Sequence, residues 1–182
     1  MKEISLHLLD LGINSIEANA KNIKINIVED SSLDILEISI QDDGCGMEPN
    51  LMESVTNPFF STRNTRQIGL GIPLTKSTAI HCDGKFNINS EKGRGTTVTF
   101  SFKNSHIDRP PLGNIGETII TLINCNSNVH IKYEHLYNGV KFIFDTLEIK
   151  KSLGNVNINE PEVLVWICEY INENIAAIRK IG

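Results

Sequence analysis

Two runs of alternating residues constrain this chain most. Ile23, Ile25 and Ile27 alternate with Lys24 and Asn26, and Leu36, Ile38 and Ile40 repeat the pattern a few residues on. A period of two marks strands with one covered face and one wet face. Between the runs, Asp30-Ser31-Ser32 has the chemistry of a turn. Strands joined so closely pair antiparallel, because a parallel crossover needs a dozen or more residues. Ahead of the hairpin, Ile4, Leu8, Leu11 and Ile16, with Leu9 and Ile13 beside them, recur at helical spacing. They predict an amphipathic helix over about 4–19.

Past Gly46 the periodicity dissolves. Residues 48–68 hold Pro49, Pro58 and many Thr, Ser and Asn, which predicts a long loop with a short helix near 49–54. Loops of that length in compact domains are functional or mobile. A helix follows from Leu70 to Cys82, then strands at 85–90 and 96–102 around the turn Glu91-Lys92-Gly93-Arg94-Gly95. Pro110-Pro111 marks a break in composition. Beyond it the pattern predicts a helix over 113–124, a hairpin over 129–145 turning at Asn138-Gly139, and a last helix over about 160–179. Asn159 is placed to cap that helix and Pro161 falls in its first turn. The two parts divide at 1–104 and 105–182, and the second could extend the sheet or form a docking surface.

With 182 residues and 40% hydrophobic content, the chain can bury a core. Lys and Arg number 17 against 22 Asp and Glu, a net charge of −5. That leaves no basic excess to neutralise phosphates, so nucleic acid is not an expected partner. Every apolar stretch is interrupted well short of the roughly 20 residues of a membrane span. The cysteines, Cys45, Cys82, Cys125 and Cys168, form no Cys-x-x-Cys pair, and isolated thiols fit a reducing cytoplasm.

Three segments carry chemistry. Asp10 and Asn14 stand at i and i+4, one turn apart on one helix face. The amide oxygen suits Mg²⁺ and the carboxylate can take a proton from a nucleophile. On its own the pair reads better as a solvated polar face. Asp42-Asp43-Gly44-Cys45-Gly46 ends a strand, where glycines admit a flat ligand and a carboxylate accepts from an amine, or where the chain simply turns. Gly69-Leu70-Gly71 opens a helix, and Gly93-Arg94-Gly95-Thr96 sits between strands. Glycines at a helix N-terminus offer backbone N–H groups to an anion. No Gly-Lys-Ser/Thr follows, and no parallel βαβ unit surrounds them, so neither a Walker A loop nor a dinucleotide-binding turn fits.

In this order the segments resemble the ATP-binding domain of the GHKL superfamily, which takes in DNA gyrase B, MutL, the sensor histidine kinases and the anti-sigma serine kinases. The resemblance covers about 4–102. It implies an α/β two-layer sandwich of the Bergerat type, with a mixed, mostly antiparallel sheet, helices on one face and a small α+β C-terminal extension. It implies that ATP and Mg²⁺ are bound, with Asn14 on the metal. Asp10 occupies the place of the general base that gyrase-like members supply as Glu and histidine kinases replace with Asn. Asp42 would accept the adenine amine with Thr96 beside it, and Gly44 and Gly46 would line the ring. Gly69, Leu70 and Gly71 would hold phosphates, under a lid spanning about 48–68. Within the lid, Pro58-Phe59-Phe60-Ser61-Thr62-Arg63 resembles the aromatic lid motif of histidine kinases, with Arg63 and then Arg66 as γ-phosphate partners. Gln67 departs from the family, where a further glycine is common.

His7, one turn before Asp10, reads as a buried or capping histidine rather than a phospho-acceptor, and His106 with Asp108 as part of an ordered linker. Ser105-His106-Ile107-Asp108-Arg109 and the pattern of the whole chain look like small stand-alone ATP-binding proteins of anaerobic bacteria, which implies a protein partner, a phosphoryl acceptor or a regulated enzyme such as a hydrogenase. The activity implied is kinase, slow ATPase or a nucleotide-gated interaction module.

Overall fold

The hairpin expected from the alternation is present in a computed structural model that describes residues 2–49, 55 and 71–182. Strand β1 (Asn22–Asp30) pairs antiparallel with β2 (Ile35–Asp42), setting Ile25 opposite Ile40 and Ile27 opposite Ile38. Their turn is closed by Asp30, whose Oδ1 accepts the Ser32 N–H at 2.9 Å and the Leu33 N–H at 3.0 Å.

Helix α1 (Ile4–Glu17) precedes the hairpin and α2 (Gly71–His81) leads to the antiparallel pair β3 (Phe86–Glu91) and β4 (Gly95–Lys103). Strand β4 then pairs antiparallel with β2, Phe100 opposite Ile38. Past Pro110-Pro111 come α3 (Ile115–Cys125), the hairpin β5 (His130–Tyr137) and β6 (Val140–Asp145), α4 (Thr146–Leu153) and α5 (Pro161–Ile181). The six strands form one sheet in the order β3-β4-β2-β1-β5-β6. The pairing of β1 with β5 is parallel, and the other four are antiparallel.

One sheet face is covered. Ile23, Ile25, Ile27, Leu36, Ile38, Ile40, Phe100, Phe102, Ile131, Tyr133 and Phe144 are buried with α1 residues Ile4, Leu8 and Leu11. The α5 stripe Ile167, Ile171, Ile175 and Ile178 completes this core. Helix α1 packs on α2 and α3, and α3 on α5, so these four form a layer over the sheet. The opposite face is polar. There Glu134 pairs with Lys141 at 2.9 Å, Lys132 at 3.2 Å and Lys24 at 3.9 Å. The α/β sandwich with helices on one face is therefore the observed architecture.

The C-terminal part extends the sheet: β5 runs along β1 with Ile131 beside Ile23 and Tyr133 beside Ile25. Two details differ from the sequence reading. The cap of α5 is Glu160, not Asn159, and its side chain makes no capping bond, although Pro161 does open the helix. Helix α4 was not expected. It starts because the Asp145 carboxylate accepts the Leu147 N–H at 2.8 Å, and eight residues are too short a window for helical periodicity to register. Of the expected short helix near 49–54 only Pro49 is described, and nearly all of the lid lies outside the described residues.

Candidate functional site

The carboxylate of Asp42 sits where β2 ends, between α1 and the β3–β4 turn. Its Oδ1 accepts the Gly44 N–H at 2.9 Å and the Thr96 N–H at 3.2 Å. Its Oδ2 accepts the Ser15 hydroxyl at 2.8 Å. A carboxylate oxygen carries two acceptor positions, so Oδ2 keeps capacity for an incoming amine. Asp43 points elsewhere. It takes the Lys21 and Asn22 N–H groups at 2.7 and 2.8 Å and the Asn22 amide at 2.7 Å, closing the entry to β1. Burial pushes the Asp43 carboxyl up, but these bonds outweigh it and hold the group below its ordinary value.

Two glycines make this corner possible. Gly46 (φ +63°) and Gly95 (φ +103°) are in the left-handed region, and a Cβ on either would drive into backbone, at the Glu91 and Asp42 carbonyls respectively. The β3–β4 turn thereby closes on the exit of β2, and the Gly93 N–H donates to the Cys45 carbonyl at 2.7 Å. Thr96 faces Ser90 across the β3–β4 ladder, their hydroxyls 2.8 Å apart. Ser90 also donates to the Gly95 carbonyl and accepts the Met47 N–H at 2.9 Å. Ser15 and Ser90 were both missed by sequence reading. Ser90 had one usable signal, its register opposite Thr96, and Ser15 had none short of the fold.

Asp10 and Asn14 lie along α1, both half-buried and one turn apart, as their spacing required. Gly71, the first described residue of α2, lies against Asp10. A Cβ at position 71 would stand 3.1 Å from the Asp10 Cβ and 3.4 Å from its Oδ2. The fold thus brings the start of α2 to the carboxylate. The same two helices meet again one turn earlier along α1. There Thr75 donates its hydroxyl proton to the Gly71 carbonyl at 2.8 Å, so His7 Nδ1, 2.8 Å from that hydroxyl, must be the donor to it. His7 is buried, its Nε2 has no hydrogen-bond partner among the described residues, and burial pushes the imidazole down to about 4. It is a neutral packing histidine, as expected.

Of the expected site residues, Asp10, Asn14, Asp42, Gly44, Gly46, Gly71 and Thr96 are described. They divide between two stretches of α1: Asp42, Gly44, Gly46 and Thr96 near Ser15 in its last turn, and Gly71 beside Asp10 at its middle. Arg63, Gly69 and Leu70, with Phe59, Phe60, Arg66 and Gln67, lie outside the described residues. Among the described residues no group of three or more His, Cys, Asp or Glu is placed to hold a metal. The local donor set of one amide and one carboxylate still suits Mg²⁺, which keeps most of its water and takes phosphate oxygens.

Residues 2–106 match the family described as histidine kinase-, DNA gyrase B- and HSP90-like ATPase. The match covers more than half of the chain, and the chain belongs to that family. Among curated relatives it is similar to a non-motile and phage-resistance protein of Caulobacter vibrioides, 29% identical over 60% of this chain and 14% of that protein. It is also similar to the histidine protein kinase SaeS of Staphylococcus aureus, 30% identical over 54% of this chain and 29% of that one. The chain thus spans less than a third of the length of these relatives. A solved structure of full-length ShkA in complex with AMPPNP aligns with 53% of this chain and 20% of its own, at 19% identity and a TM-score of 0.44. Among the described residues no helix is long and apolar enough to cross a membrane.

Proposed function

We propose that this chain binds Mg-ATP in the angle between α1, α2 and the β2 exit, and passes the γ-phosphoryl group to a partner protein or, slowly, to water. The observation that carries this reading is the juxtaposition of Asp10 with Gly71, with Asn14 one turn further along α1. Asp42 would accept the adenine amine through Oδ2, its position fixed by the Gly44 N–H, the Thr96 N–H and the Ser15 hydroxyl. Thr96 and Ser90 would present hydroxyls beside the same ring. Asn14 would hold Mg²⁺ through its amide oxygen. The bound cation supplies charge neutralisation on the phosphate oxygens. Asp10 would take the proton of the attacking hydroxyl or water. Arg63, Gly69 and Leu70 would bind phosphate with Gly71. Histidine kinases replace this base with Asn, so Asp10 supports a seryl or water acceptor over a histidine. The protein would serve in cytoplasmic signalling, acting on a separate acceptor or on a regulated enzyme such as a hydrogenase.

Calorimetry with ATP, with and without Mg²⁺, tests binding, and phosphate release tests turnover. Asp10→Asn should abolish release and leave binding within a few-fold of wild type. Release that persists in Asp10→Asn would remove Asp10 as the base. Binding without release by the wild type would leave a nucleotide-gated interaction module, and no binding at all would overturn the reading.

A further inference from the structure

Helix α5 spends its apolar stripe on the core: Ile167, Ile171, Ile175 and Ile178 are all buried. Its opposite face is not that of an ordinary solvated helix. It carries Trp166, the only tryptophan of the chain, left 48% exposed, and Val165, left 57% exposed. The Trp166 ring stacks on Tyr170, one turn on, with centroids 5.0 Å apart and planes at 14°. Tyr170 in turn meets Phe142 of β6 edge-on at 5.7 Å, so the pair is held from behind. A stiff aromatic platform of this kind presents a large apolar area with little rotamer entropy to lose on binding, which is why Trp and Tyr dominate interface hot spots.

The platform has an acidic rim. Glu162 lies one turn before Trp166 and Glu169 one turn after, and Glu173 stands a turn beyond that; all are exposed. No ion pair among the described residues involves any of them. From Pro161 to Ile178 the helix contains no Lys or Arg. The first cation, Arg179, is already committed to Glu29 at 2.6 Å. The field is felt inside the helix pair as well. The Cys168 thiol is raised by burial, then by the carboxylates of Glu117 on α3 and Glu169. A second copy does not complement this face, because a two-fold contact would set three carboxylates against the same three.

We propose that the outer face of α5 is a docking surface for a partner-protein segment that carries an apolar or aromatic anchor flanked by Arg or Lys. The anchor packs on the Trp166–Tyr170 stack. A flanking guanidinium lies over the ring face and pairs with Glu162, Glu169 or Glu173. This surface lies outside residues 2–106, the family match, and does not depend on the nucleotide reading.

The probe is a fluorescein-labelled amphipathic helical peptide of Leu, Ala and Arg, with one Leu stripe bordered by Arg. Its twin carries Glu for every Arg. Anisotropy is read without nucleotide. The wild-type chain should bind the Arg peptide saturably at micromolar concentration and the Glu twin at least tenfold more weakly. Trp166→Ala should weaken the Arg peptide at least tenfold. The triple variant Glu162→Lys, Glu169→Lys, Glu173→Lys keeps the aromatic platform and should reverse the preference. Both variants replace exposed residues, and an unchanged melting temperature certifies their fold. Equal binding of the two peptides, no binding of either, or an Arg-peptide affinity untouched by both variants overturns the proposal. So does a wild-type dimer in sedimentation that Trp166→Ala dissolves, since the occupant would then be a second copy. Because nucleotide is absent, each of these outcomes is separable from a failure of ATP binding.

Discussion

The Ser15 hydroxyl donates to Asp42 Oδ2 at 2.8 Å, joining α1 to the end of β2. Ser15 is the residue after Asn14, so the helix that carries Asp10 and Asn14 is also hydrogen-bonded to the carboxylate assigned to the adenine amine. Moving one end of the site moves the other, because a helix of this length is stiff.

Removing the acceptor and removing its support should therefore differ in size. Asp42→Asn turns one acceptor oxygen into an NH₂ donor facing the Gly44 and Thr96 N–H groups or the Ser15 hydroxyl and the ligand. ATP affinity should fall by more than tenfold. Ser15→Ala leaves the carboxylate in place and removes one hydrogen bond worth about 0.5–1.5 kcal/mol, so affinity should fall roughly twofold to tenfold. Calorimetric titration of both variants checks the order. A Ser15→Ala loss equal to that of Asp42→Asn would mean that the position of Asp42, not its charge, recognises the ligand.

Much of this corner was legible in the residues, and the reason is local. The alternation in 23–40 fixes which faces of β1 and β2 are covered, and Asp42 follows as the residue where the covered face runs out. The i, i+4 spacing fixes Asp10 and Asn14 on one side of α1. What was not legible is non-local. Nothing in 130–137 announces that β5 lies parallel to β1, since that pairing depends on α3 carrying the chain across. Nor does Ser15 signal its bond to Asp42, 27 positions away. Helix α4 was hidden for the opposite reason: its start rests on one cap at Asp145, and a body of eight residues offers only Ile149 and Leu153 to the core, too short a run to read as a helix.

Gly71 has little space to spare. A methyl group there would stand 3.1 Å from the Asp10 Cβ, so α2 must back away from α1 by a few tenths of an ångström or Asp10 must rotate. Overpacking of this kind costs about 1–3 kcal/mol. Gly71→Ala should lower the stability by that amount. It should also depress phosphate release more than it weakens ATP binding, because the carboxylate is the group displaced. Urea denaturation and a phosphate-release assay measure the two effects. Normal release at normal stability would show that α2 does not need to meet Asp10 so closely.

His7 should give the protein a pH-dependent stability of known sign. Burial holds the folded imidazole at about 4, against an ordinary value of 6.5. Between those values the unfolded chain binds the proton and the folded chain does not, so stability rises with pH across the window and falls on acidification. The full difference is about 3 kcal/mol, on the order of 1.4 kcal/mol per pH unit of displacement. In His7→Gln this slope should be lost, while the amide can still donate to Thr75. Urea midpoints of wild type and variant from pH 4.5 to 7 compare the slopes. Equal slopes would place the titrating group elsewhere.

The buried network that pins α5 to the sheet should show a ranking of its own. Glu29 Oε1 accepts from His135 Nε2 at 2.7 Å and from Arg179 Nη2 and Nε at 2.6 and 3.1 Å. With His135 Nε2 donating, its Nδ1 is left to accept a hydrogen bond from the Tyr133 hydroxyl at 2.6 Å. Burial pushes the Glu29 carboxyl up, but the bonds from His135 and Arg179 outweigh it and hold the group below its ordinary value. Glu29→Gln removes the anion that faces a guanidinium and a buried imidazole; because the guanidinium it leaves is 36% exposed, the cost should fall short of the about 3–5 kcal/mol of breaking a fully buried pair. Arg179→Met should cost less, because Arg179 is part-exposed and its loss still leaves Glu29 bonded to His135. The double variant should cost less than the sum, since either change alone already breaks the shared contact. Equilibrium urea unfolding at pH 7 gives all three values. If Arg179→Met proves the more damaging, the guanidinium holds α5 through its packing over the Tyr137 ring, 6.0 Å from the centroid, rather than through the carboxylate.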